Sequence, residues 1–298
     1  METTAKSQAA TEFLSNWNLR LEDLVGYIRS PQPTETVLLV GSIVEDLANP
    51  LSDIDLLLIG DGDLGEGFIQ WEIESEEMVI RLPSGHEMNL EYWHTSALAQ
   101  LRERLNNNLD LIGSSLPRRG LSRLSEAELR LLHRLRCGVG LVNQEVTDYW
   151  RAQLRVEELP LYLILSALAL HFAIREDAIA QVRYGGDTLT SLTMLRLAAD
   201  YMAAAMIAST GETNHSRKWR PRLLMRHRDV LGEERVAELQ RYLFPNPQED
   251  AAVALGEALK LFDTSILEII GRYPSALPVM LELDDQVSFV KDLDAFPR

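Results

Sequence analysis

The chain has 298 residues, 46% of them hydrophobic and 25% charged, enough for one large or two ordinary domains and incompatible with a disordered or fibrous polypeptide. Its 29 lysines and arginines face 45 aspartates and glutamates, a net charge of −16, which argues against a broad nucleic-acid footprint and would steer a cationic small substrate inward; the same charge also serves plain solubility. A single cysteine, Cys137, excludes an internal disulfide and has no zinc-type Cys/His spacing around it, so a reducing compartment, the cytoplasm, is expected.

The first residues lack a basic stretch followed by an apolar core, so no signal peptide is expected. Phe13, Leu14, Trp17, Leu21, Leu24, Val25 and Ile28 recur at near-helical spacing and predict one amphipathic helix over 12–29, ended by Ser30-Pro31-Gln32-Pro33. The period then changes. Thr36 to Val40 is a short β-branched run stopped by Gly41-Ser42, and Ile54 to Ile59 is another, stopped by Gly60-Asp61-Gly62. From Gly67 to Trp93 three alternating segments follow, the last two joined by a Pro83-Ser84-Gly85 turn, which brings the first hundred residues to about five strands.

Beyond Thr95 the pattern is helical over 96–107, 125–136, 158–182, 189–209, 233–243 and 249–272. The most apolar stretch, Leu159 to Ile174, contains Pro160, Ser166 and His171 and falls short of the roughly 20 residues that span a bilayer, so it reads as a buried helix and no membrane association is expected. A boundary in the Ser114–Gly120 loop divides the chain at 116 into a mixed-sheet domain, 1–116, and an all-α bundle, 117–298. The fold class is α+β. Trp71, Trp93 and Trp150 read as core residues.

The strongest chemical signal is a strand, Gly41-Ser42, ten intervening residues, and Asp53-Ile54-Asp55 opening the next strand. A Gly-Ser pair at the start of a helix offers backbone N–H groups, a hydroxyl and the positive dipole end to a phosphate. Asp53 and Asp55, two apart on a strand, project to one face, and their mutual repulsion is relieved by a hard divalent cation such as Mg²⁺. Together they predict a metal-bound nucleoside triphosphate site.

The stretch Leu38-Leu-Val-Gly-Ser42 to Ser52-Asp-Ile-Asp-Leu56 resembles the signature of the nucleotidyltransferase superfamily that includes DNA polymerase beta and the aminoglycoside nucleotidyltransferases. The resemblance implies phosphate binding at Gly41, Ser42 and Ser52, metal binding at Asp53 and Asp55, and a third metal carboxylate on a neighbouring strand. His86-Glu-Met-Asn-Leu-Glu91 offers Glu87 and Glu91; Glu87, followed by Met-Asn-Leu, looks like the run carrying the third acid in kanamycin nucleotidyltransferase and is preferred. One departure stands out. The antibiotic enzymes commonly carry an arginine three residues after the serine, and here that position is Glu45, which repels phosphate unless it faces elsewhere or another cation substitutes.

The C-terminal half resembles kanamycin nucleotidyltransferase more faintly, through Asp187-Thr-Leu-Thr-Ser-Leu-Thr193 and the Ala-rich helix that follows. That likeness places His171 at the general-base position and Arg175 at the triphosphate-binding position, four residues apart on one helix face; against this, a lone histidine in an apolar helix is more often a hydrogen-bonded core residue. The basic segment Asn214 to Arg222, with Trp219, either reaches an anionic ligand or pairs with the acidic surface.

What the resemblance implies is an antibiotic-resistance type of activity: transfer of a nucleoside monophosphate, most plausibly AMP from ATP, to a hydroxyl of a small, cationic, aminoglycoside-like molecule, with two Mg²⁺ ions and release of pyrophosphate. In the related enzyme a second subunit contributes across a dimer interface, so a homodimer is an expectation. The alternatives are a toxin-like transferase acting on tRNA or protein and a non-catalytic nucleotide-binding regulator, the latter argued chiefly by Glu45.

Overall fold

The computed structural model describes residues 2–62, 69–70, 76–113, 122–185, 187–246 and 248–276. The chain forms two compact units, one of residues 1–107 and 124–157, the other of 108–123 and 158–298. A single cut at 116 does not separate them, because 124–157 returns to the first unit and adds an edge strand to its sheet. The Ser114–Gly120 loop expected at the boundary and Trp71 lie outside the described residues.

The first unit opens with α1 (Glu2–Ser15) and α2 (Leu21–Leu24), followed by a 3₁₀ turn, Val25–Tyr27. The expected single helix over 12–29 is therefore broken. Asn18, at φ +57, takes the left-handed conformation that asparagine tolerates, and Leu19 N–H donates to the Leu14 carbonyl at 3.1 Å to close the turn. The apolar side chains still converge, since Leu14 and Leu24 are fully buried with Phe13, Trp17, Leu21 and Ile28 packed beside them.

Strands β1 (Thr36–Val40), β2 (Ile54–Gly60), β3 (Ile69–Gln70), β4 (Glu76–Arg81), β5 (Glu87–His94) and β6 (Val139–Val142) make one sheet in the order β3-β4-β5-β2-β1-β6. Only β2 and β5 run parallel; every other pair is antiparallel. β1 and β2 sit inside the sheet and are covered on both faces, which is why they read as nearly unbroken apolar runs. One face, carrying Val37, Leu39, Ile54, Leu56, Leu58, Met88, Leu90 and Tyr92, belongs to the core that also holds Ala10 and Leu14 of α1.

The other face meets the returning segment. α3 (Thr95–Gly113) follows β5, and after it come α4 (Glu126–Cys137) and α5 (Gln144–Gln153), on either side of β6. Ser125 caps α4 reciprocally, accepting from Glu128 N–H while its own N–H donates to the Glu128 carboxylate at 2.8 Å. The α4–β6 junction lies against β1: a Cβ on Gly138 would come within 2.9 Å of Val40 and 3.0 Å of Leu38. Thr147 of α5 shares a 2.6 Å hydroxyl contact with Thr36.

The second unit contains α6 (Leu159–Arg183), α7 (Thr188–Ala208), α8 (Arg220–Arg226), α9 (Arg228–Leu231), α10 (Glu233–Leu243) and α11 (Ala251–Arg272). Buried Ala198, Ala199, Ala203 and Ala205 leave room for α7 to pack closely on α6, α10 and α11. Asp187 and Asp250 cap α7 and α11 by accepting backbone N–H bonds in the first turn. By length and composition Val156–Arg183 and Thr188–Ala208 are each apolar enough to cross a membrane, longer than the 159–174 stretch suggested; half or more of the 18-residue apolar window of each is buried inside the fold.

Candidate active site

The β1–β2 register brings the two ends of the Gly-Ser to Asp-x-Asp loop together. Val40 pairs with Asp55, so Gly41, the next residue, lies beneath the Asp55 side chain. Gly41 adopts φ +76, and a Cβ there would lie 2.2 Å from Asp55 Oδ2. Glycine is required twice over, for the backbone conformation and for the approach of the carboxylate.

The residues after Gly41 do not open a helix. Positions 42–46 form consecutive turns in which Val44 N–H donates to the Gly41 carbonyl at 3.2 Å and Leu47 N–H to the Ser42 carbonyl at 2.9 Å. Buried Ile43, Val44 and Leu47 anchor this turn by packing, where a helix would have used continued hydrogen bonding. Ser42 is half-buried. Ser52 Oγ accepts the Asn49 N–H at 2.9 Å, which shapes the loop just before Asp53. Asp53 is exposed at the edge of β2, and Asp55 is half-buried.

Glu45, at the position where an arginine is common, meets His133 of α4. Its carboxylate lies 3.0 Å from His133 Nε2 of α4, with both side chains more than nine-tenths buried. Burial opposes charge on His133, but the Cys137 sulfur, 3.7 Å from its Nδ1, and the Glu45 carboxylate outweigh it and raise the imidazole pKa to about 10. Glu45 thus faces a cation, and the repulsion its position suggested is absorbed inside the protein.

Positive charge reaches Asp55 from α4. Arg134 Nη2 is 3.6 Å from Asp55 Oδ1, and its Nη1 donates to Glu91; Arg130 Nε is 3.6 Å from the same Glu91 oxygen. The parallel register sets Asn89 beside Asp55 and Glu91 beside Leu57, while β4 places Glu77 beside Glu91, so these side chains share a face. Burial pushes the Asp55 pKa up, with Asp53 and Glu91 adding to it and Arg134 and Asn89 opposing. Burial and Glu91 do the same to Glu77. Arg130 and Arg134 escaped notice in the sequence. Their i, i+4 spacing on a predicted helix was visible, but not the sheet face they would meet.

The expected third acid behaves differently. Glu87 begins β5 on the same side as Asn89 and Glu91, but its carboxylate is exposed and pairs with Arg81 of β4 at 3.2 Å. Glu91, the alternative, is buried and accepts from Trp93 Nε1 at 2.7 Å as well as from Arg134. Among the described residues no three His, Cys, Asp or Glu side chains are gathered as a ready metal cluster. Of the three expected metal ligands, Asp53 is exposed, Asp55 faces Arg134 and Glu87 pairs with Arg81.

His171 and Arg175 belong to the core of the second unit. His171 is fully buried, shares a 2.8 Å contact through Nδ1 with the Ala198 carbonyl and meets the Phe262 ring edge-on. Burial, with Arg175 nearby, lowers its pKa to about 3, so it stays neutral. Arg175 is 2% exposed, 3.4 Å from Asp263 and over the Phe172 ring. Buried in this way, neither side chain is presented to a nucleotide, which corrects the roles the faint C-terminal likeness gave them. In the basic segment Arg217 and Arg220 both pair with Asp200, as the acid-pairing alternative expects, while Lys218 and Arg222 lie over the Trp219 ring.

Residues 21–106 match the family model described as nucleotidyltransferase domain. No curated protein sequence matches the chain. Among solved structures the chain is similar to a nucleotidyltransferase-like protein from Exiguobacterium sibiricum 255-15, at 15% identity and a TM-score of 0.45, over 93% of this chain and 80% of that one. The matched span contains Gly41, Ser42, Asp53, Asp55 and β5, the parts whose register has just been described. Residues 21–106 thus carry a nucleotidyltransferase domain, which supports an activity of the nucleotidyl-transfer class.

Proposed function

We propose that the protein moves a nucleoside monophosphate, AMP from ATP, to a hydroxyl of a small cationic molecule of aminoglycoside type and releases pyrophosphate. The observation that supports this reading is the seating of the Asp55 carboxylate over Gly41, which brings the Gly-Ser turn and the Asp-x-Asp pair together. The net charge of −16 favours a cationic acceptor.

The donor set fits a divalent ion. Asp53 and Asp55 are hard oxygen donors two residues apart, the space a Cβ on Gly41 would fill is occupied by an Asp55 oxygen, and Glu87 stands at the start of the adjacent parallel strand. When bound there, Mg²⁺ would neutralise charge developing at the α-phosphorus. Asp53 and Asp55, with Glu87 on the neighbouring strand, would hold such an ion, and the Gly41–Ser42 turn would support the outer phosphates. Pyrophosphate release from each of the four nucleoside triphosphates, screened against a panel of hydroxyl compounds, tests the reading. ATP with aminoglycosides should respond; silence with every cationic acceptor alongside turnover on RNA or protein would overturn it.

A further inference from the structure

Arg134 occupies a position that the transferase reading leaves unexplained. It lies between two carboxylates of unequal hold: Glu91 is buried, accepts from Trp93 and Arg134 and has Arg130 beside it, whereas Asp55 meets Arg134 only across 3.6 Å. The guanidinium is itself only 16% exposed, so its charge acts on Asp55 with little screening by water. A divalent ion arriving at Asp55 therefore meets a resident cation. The Gly-Ser turn supplies no cation of its own, since the residue there is Glu45 and it is engaged with His133.

We propose that Arg134 is the resident counter-cation of Asp55, that a divalent ion displaces it from that carboxylate, and that the released guanidinium, still anchored by Glu91, then pairs with the triphosphate. Arg134 is in this sense a positioning residue that couples metal entry to nucleotide capture. No bond is made or broken in the exchange: one ion pair is traded for a metal–carboxylate contact, and a second pair forms with phosphate. The inference rests on the reading that Asp53 and Asp55 hold a divalent ion.

The test uses the full chain and Mn²⁺ alone, with free Mn²⁺ followed by electron paramagnetic resonance. Arg134→Gln should bind Mn²⁺ at least about tenfold more tightly than the wild type, because a repelling charge has been removed, whereas Arg134→Lys should stay near the wild-type affinity. A fluorescent ATP analogue, added at saturating Mn²⁺, should bind Arg134→Gln at least about tenfold more weakly. A purely structural role predicts that both affinities fall together. If Arg134→Gln fails to fold because buried Glu91 loses its nearest cation, the double variant Glu91→Gln/Arg134→Gln removes that penalty and should show the same tightening. Unchanged or weaker Mn²⁺ binding in the variant that folds, with Asp55→Asn abolishing it, overturns the inference alone. Mn²⁺ binding that survives Asp53→Asn and Asp55→Asn overturns the underlying metal reading.

Discussion

Glu45 of the turn after Gly41 and His133 of α4 form a buried pair, with the carboxylate 3.0 Å from Nε2. The pair fastens the turn that follows Gly41 to the helix that delivers Arg134. Because the folded-state pKa of His133 is raised to about 10, its contribution to stability is fully present below the unfolded value near 6.5 and is lost as pH rises toward 10. Glu45→Gln should therefore lower the melting temperature most at pH 6 and progressively less up to pH 10. A gap that does not change across this range in thermal melts would contradict the charged pairing.

Asp55 shows linkage of the same sign from a different cause. Its folded-state pKa is raised, chiefly by burial, so the native protein binds the proton more readily than the unfolded chain, and stability falls as pH rises from about 4. Asp55→Asn, which keeps the shape and discards the charge, should melt higher than the wild type at pH 7, with the advantage vanishing in acid. It should also lose transfer activity. A variant less stable than the wild type at neutral pH would show that the ion pair with Arg134 outweighs desolvation.

Gly41→Ala tests the contact that joins turn to carboxylate. The added methyl requires φ +76 of a residue that resists it and collides with Asp55 Oδ2 at 2.2 Å. A cost of about 1–3 kcal/mol is expected in denaturant unfolding, together with loss of nucleotide binding. Wild-type stability and affinity in this variant would mean that Asp55 is not seated as described.

Asp53→Asn addresses the chemistry with the least structural disturbance, since the side chain is exposed. The fold, checked by circular dichroism, should be unchanged, and transfer should drop on the order of 10³-fold or more, from the several kcal/mol that a bound metal supplies. Pyrophosphate release near the wild-type rate would remove Asp53 from the site.

His171→Asn should reduce thermal stability, through the lost contact with the Ala198 carbonyl and the lost packing on Phe262, without altering the pH–rate profile. Disappearance of an acidic limb in that profile would return His171 to the general-base role.

The residues that sequence alone determined are those whose roles follow from local pattern. The apolar runs 36–40 and 54–59, the Gly-Ser and Asp-x-Asp spacing between them, and the long helices α3, α4, α6, α7, α10 and α11 were all legible, because strand alternation, helical period and glycine's conformational freedom act over a few neighbours. The break at Asn18 was not, since the apolar residues on either side of it pack into the same core and so preserve a helical spacing. Tertiary structure decided the rest of the site. Whether Glu45 repels phosphate or is neutralised depends on His133, 88 positions away, and which cations meet Asp55 depends on α4 returning to the sheet through the β1–β6 pairing. His171 and Arg175 share a helix face as their spacing requires, yet whether that face meets solvent or core is fixed by α7 and α11 packing against it. Spacing sets which side chains point the same way; only long-range packing sets what they point at, and the charge state and accessibility that chemistry needs come from the second.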